Sequence, residues 1–104
     1  MADPTSYVPH LMGITLDTQG VTYTQVVAIN RTTGERQIKA VDANKNVIFD
    51  AADFTSGYSA DDVIEFNNVG ASKGQTTITI NSATGGFQSE EMDCAASPTV
   101  AINL

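Results

Sequence analysis

The sequence predicts an all-β domain folded as an antiparallel sandwich. Three observations predict it. β-branched and aromatic residues gather in short runs, several runs alternate apolar with polar side chains, and Gly, Asn, Asp and Ser clusters stand between them where hairpins need turns. An extended N-terminal arm, residues 1–13, precedes a single domain over residues 14–104.

The arm carries Pro4 and Pro9, and two prolines so close keep it out of a central strand. It also carries Tyr7, Val8, Leu11 and Met12, apolar groups that a free arm leaves in water and that a neighbouring subunit can cover. The tetrapeptide DTQG (17–20) begins with Asp and ends with Gly, as a type I turn prefers. Residues 21–30, VTYTQVVAIN, form a strand, because a helix there loses side-chain entropy at nearly every position. Weak alternation marks RQIKAV (36–41), and a short apolar run marks 47–49. In 62–69, Val63, Glu65 and Asn67 share one face while Ile64, Phe66 and Asn68 share the other. QTTITIN (75–81) points Ile78 and Ile80 one way and its threonines the other, the pattern of a strand with one wet face. TVAINL (99–104) alternates Val100, Ile102 and Leu104 and is expected to close the sheet.

The turns have their own chemistry. NRTTGE and NSATGG share N-x-x-T-G, each after an isoleucine, and Gly there supplies the positive φ of a bulged hairpin turn. ASKG (71–74) is a further tight turn. Ser59 and Asp62 match a capping box, but the β-favouring Val63 to Phe66 follows, so at most one helical turn is expected before the strand.

Composition narrows the function. A chain of 104 residues holds one modest core, and with no Trp and only seven Phe and Tyr it gains by oligomerising. A net charge of −7 argues against nucleic acid or an anionic membrane as partner and points to a neutral or basic protein surface. No apolar run is long enough to span a bilayer, and MADPTSYVPH lacks the basic and apolar regions of a signal peptide. The lone Cys94 has no disulfide partner, and the only histidine, His10, lies at the far end of the sequence, so Cys94 reads as a packing residue.

Asp42, Asn44 and Asn46 stand in a D-x-N-x-N register that opens many calcium loops. Counting from Asp42, position six is Val47 rather than Gly and position twelve is Asp53 rather than Glu, so a polar hairpin turn is the better reading. The pairs Asp50/Asp53 and Asp61/Asp62 read as solvated carboxylates at loop ends, and Asn30-Arg31-Thr32 as turn chemistry rather than a glycan acceptor. One His and one Cys assemble no zinc spacing and no Ser-His-Asp set, so no catalytic residue, metal or cofactor is expected. Tyr58, in the Gly-Ser loop SGYS, is a candidate contact residue.

Residues 27–80, VAINRTTGERQIKAVDANKNVIFDAADFTSGYSADDVIEFNNVGASKGQTTITI, resemble the small β-sandwich modules of phage virion proteins. In that pattern a strand ending N-x-T-T-G-E is followed by a second strand, a D-x-N-G turn, an aromatic strand, a loop L-x-S-G-Y-x-x-G-D, another strand and a G-x-T-T-x-T-I arm. Here Lys45-Asn46 replaces the turn glycine, and Ala60-Asp61-Asp62 replaces the glycine before Asp. The resemblance covers about half of the chain and implies an immunoglobulin-like or transthyretin-like fold. A chain that starts at its own Met and holds little beyond one module looks most like a capsid decoration (cement) protein. It then implies a non-enzymatic bacteriophage protein, made in the host cytoplasm and carried on the virion. The resemblance implies the major capsid protein as partner; a homo-oligomer with a trimer favoured is expected, with Tyr7, Val8, Leu11, Met12 and Tyr58 as the candidate partner-binding residues. The alternative is a virion-surface module for carbohydrate or a host ligand, with Tyr58 and Phe54 as its aromatic pair.

Overall fold

The structure is a computed structural model that describes residues 9–17, 24–69, 74–81 and 85–93. These form seven strands, β1 (His10–Asp17), β2 (Gln25–Asn30), β3 (Arg36–Ala40), β4 (Asn46–Asp50), β5 (Val63–Asn68), β6 (Gln75–Thr79) and β7 (Gly86–Asp93), with one 3-10 turn at Ala51–Asp53. The hydrogen-bonded order is β3-β2-β5-β6-β7-β1-β4. β6 and β7 share only the pair Gln75 and Asp93, so the ribbon divides there. Its halves, β3-β2-β5-β6 and β7-β1-β4, enclose one core and make the expected all-β sandwich. The pairing is antiparallel except between β1 and β7, which run parallel from His10↔Gly86 to Asp17↔Asp93.

Alternation supplies the core. β1 turns His10, Met12, Ile14 and Leu16 inward, β4 contributes Val47 and Phe49, and β7 adds Met92. From the other half come Val26, Ala28, Ile64, Phe66, Ile78 and Ile80. Phe49 and Phe66 meet across the core with ring centroids 5.6 Å apart and tilted by 50°, an arrangement that contributes about 1 kcal/mol beyond the area buried.

β1 corrects the boundary of the arm. His10 to Gly13 belong to the sheet, between β7 and β4, because Pro9 stands just before the strand, where its missing N–H interrupts no ladder bond. Pro9 even contributes, its carbonyl accepting from Gly86 N at 3.3 Å. β7 was not anticipated, and residues 1–8, Cys94 and the strand expected over 99–104 lie outside the described residues.

The turns behave as their residues require. Asn30 Oδ1 accepts from Thr32 N at 2.9 Å, Gly34 N donates to Asn30 O at 2.7 Å, and Gly34 takes φ 78°, where a side chain is strained. In the DANKN segment Asp42 Oδ1 accepts from Asn44 N at 2.8 Å and Asn46 N at 2.9 Å, so its carboxylate closes a tight turn; that turn joins β3 to β4 across the sandwich, because the two strands do not pair and no hairpin forms. Residues 60–61 make a turn rather than a helix, and Asp62 Oδ2 accepts from Ser59 N at 2.8 Å.

Candidate functional site

Because β1 turns Met12 inward, its other face presents Leu11, Gly13, Thr15 and Asp17 to solvent. The same alternation puts Ile48 outward on β4 and Phe87 and Ser89 outward on β7. Leu11 pairs with Phe87, and Gly13 with both Ile48 and Ser89, so Leu11, Ile48 and Phe87 surround Gly13 on one sheet face. They are 38%, 53% and 60% exposed. Large apolar groups gathered in water on one face mark an interaction surface.

Gly13 shapes that face. A Cβ at this position meets Phe87 Cζ at 3.1 Å, so the phenyl ring leans over bare backbone that any side chain would crowd. Beside it runs an open groove of about 250 Å³, lined by Gly13, Ile48, Phe87 and Ser89, with Thr15, Asn46 and Asp42 at the polar end. Thr15 Oγ1 donates to Asn46 Oδ1 at 2.6 Å, which holds that end in place.

The anticipated contact residues separate. Leu11 is on this face. Met12, its neighbour, is fully buried in the core, because adjacent strand residues point to opposite sides. Tyr58 is 2% exposed and packs against His10, with ring centroids 5.4 Å apart, so it braces the interior and offers no contact. Phe54 is buried too, which leaves the carbohydrate alternative without its aromatic pair. Tyr7 and Val8 lie outside the described residues. Phe87 was not among the expected contact residues, and the readable signal was its place one residue after Gly86 in a strand made mostly of polar residues.

A second polar cluster is enclosed. His10 N donates to Asp50 Oδ1 at 3.0 Å, and His10 Nε2 lies 2.7 Å from Gln88 Oε1. Gln88 Nε2 donates to Thr79 O at 2.8 Å, which turns Oε1 toward the imidazole and assigns Nε2 as the donor. Gln88 therefore bolts β1 to β6 where the β6–β7 ladder is nearly absent. Burial, and then the nearby Asp50 carboxylate, push the Tyr58 hydroxyl above its usual pKa, while a backbone hydrogen bond from Gly85 pulls the other way.

Two carboxylates expected to be solvated are structural acceptors instead. Asp50 Oδ1 also caps the 3-10 turn through Ala52 N at 2.9 Å, and buried Asp62 accepts from Asn30 Nδ2 at 3.1 Å. A lone carboxylate near backbone N–H groups lowers its energy by accepting them, which a count of charges along the sequence does not register. Asn30 is itself fully buried and bonded, as turn chemistry requires.

No family model, curated protein or solved structure matches this chain.

Proposed function

We infer that the protein is a non-enzymatic structural component of a virion, which binds the outer surface of the capsid and reinforces contacts between major capsid subunits. One observation carries the reading: the apolar groups left in water, Leu11, Ile48 and Phe87, lie together on one face of the sheet. An exposed apolar sheet face on a braced sandwich suits adhesion, in which aromatic anchors contribute most of the affinity. The sequence resemblance over residues 27–80 supplies the virion context. The protein acts as a homo-oligomer, a trimer by preference, so that several modest contacts reinforce one another.

The test is cosedimentation of the full chain with undecorated shells assembled from the major capsid protein. Saturable binding is expected, and a chain left wholly in the supernatant overturns the reading. The contribution of the arm is measured by deleting residues 1–8, since removal of 1–13 also destroys half of β1.

A further inference from the structure

We propose that the groove beside Gly13 is the receptor for a single apolar side chain carried on a Lys- or Arg-bearing segment of the capsid subunit. The inference rests on the adhesive reading above and names the chemistry of its partner. Three features of the site argue for it.

Size is the first. At about 250 Å³ the open groove is smaller than the roughly 300–1,000 Å³ of sites that enclose small molecules. It has room for one aliphatic or aromatic side chain, with Ile48 and Phe87 as walls and the Gly13 backbone as floor.

Charge is the second. Asp42 lines the polar end of the groove, and Asp17 and Glu91 are exposed on the same half of the sandwich. Among the described residues the turn beside the groove carries one base, Lys45, whose backbone carbonyl accepts from Leu16 N. Among the described residues, three carboxylates against one ammonium leave this face acidic, while Arg31, Arg36 and Lys39 belong to the β2–β3 hairpin of the other half. An apolar patch with an acidic border complements an apolar group with a basic border, and repels an acidic one.

The third is the glycine. A strand interior is a costly place for Gly, which lacks a side chain to pack, and such positions mark sites where another group approaches closely. Gly13 is such a position: its backbone needs no positive φ, and the group that approaches is the chain's own Phe87 ring, whose Cζ lies 3.1 Å from where a Cβ would stand, so the glycine seats Phe87 as a wall of the groove.

The experiment is cosedimentation with the same shells, comparing wild type with Gly13→Val, Ile48→Ser and Asp42→Asn, each checked for folding by circular dichroism. Gly13→Val fills the floor and displaces Phe87. Ile48→Ser removes a wall at a position exposed enough to leave folding intact. Asp42→Asn keeps a side-chain oxygen for the two turn N–H groups and deletes only the charge. We expect Gly13→Val and Ile48→Ser each to weaken binding about tenfold or more. Asp42→Asn weakens it about threefold. Wild-type binding falls as salt rises from about 0.1 M to about 1 M, which shortens the screening length from ~10 Å to ~3 Å, and Asp42→Asn flattens that dependence.

Undiminished binding by Gly13→Val and Ile48→Ser, with wild type binding normally, overturns the groove and leaves the capsid reading standing. Salt-insensitive binding overturns the basic partner. Variants that change only the self-association of the chain assign the groove to a second copy and overturn the proposal as well. A wild type that fails to bind shells removes both readings together.

Discussion

The two outward faces of the sandwich invert the usual distribution of polarity. Along the middle of the β2–β5 face, Val27, Glu65 and Asn67 are buried, and the polar pair is joined by Asn67 Nδ2 to Glu65 Oε2 at 3.1 Å. Arg31 Nε stands 3.6 Å from the other Glu65 oxygen. On the β4-β1-β7 face, Leu11, Ile48 and Phe87 are in water. Residue type alone therefore does not say which face is closed. The first face buries its polar groups with their needs only partly met, since Glu65 Oε1 and Asn67 Oδ1 accept no hydrogen bond, and presents mainly Ile38, at the β3 edge, as an exposed large apolar group. The second leaves Leu11, Ile48 and Phe87 in water, and that difference separates scaffold from contact surface.

The largest expected effect is on the closed face. Arg31→Ala strips the ion-pair partner from a carboxylate that is nearly sealed from water, and is expected to cost about 2–3 kcal/mol in urea unfolding, discounted for the half-exposed arginine. Glu65→Gln, which needs no counterion, should cost less than Arg31→Ala. The reverse order would show that the pair does not hold the face.

Next comes Val27→Ala, which opens a small void at a fully buried site and should cost about 2 kcal/mol. Its counterpart Ile48→Ala, in water on the open face, should stay within about 0.5 kcal/mol. Equal costs at the two positions would erase the distinction between the faces.

Tyr58 gives a pH test of the interior that both faces share. Its folded-state pKa is raised by burial and by Asp50, so the contribution to stability is fully present below the unfolded value of about 10 and is lost as pH rises through the higher folded value. Ultraviolet titration should find one of the three tyrosines ionising late, and Tyr58→Phe should flatten the alkaline fall in stability. A late tyrosine that persists in Tyr58→Phe would contradict the assignment.

Much of the sheet was legible from residue type and alternation. β2, β3, β5 and β6 carry β-branched residues between recognisable turns, and Asn30 and Asp42 closed those turns as their side chains predict. β1 and β7 were not read as strands, and they are each other's partners over eight register pairs. GFQSEEMD has no β-branched residue, and HLMGITLD follows a proline and contains a glycine, so neither announces itself locally. Their strand character comes from pairing in the folded chain, which overrides weak propensity. The site lies on this pair, so Leu11 and Met12, expected together as arm residues at a partner, stand on opposite sides of one strand, Leu11 outward and Met12 in the core. The signal that existed was the alternation of Met12, Ile14 and Leu16, which sets Leu11 and Gly13 outward once β1 is taken as a strand.

Hydroxyl-radical footprinting of the full chain, free and attached to undecorated capsid shells, tests the assignment of the open face most directly. The account predicts that oxidation of Phe87 falls several-fold on attachment while that of Ile38, on the opposite sheet, is unchanged. Attachment that leaves Phe87 as reactive as in the free chain would contradict it.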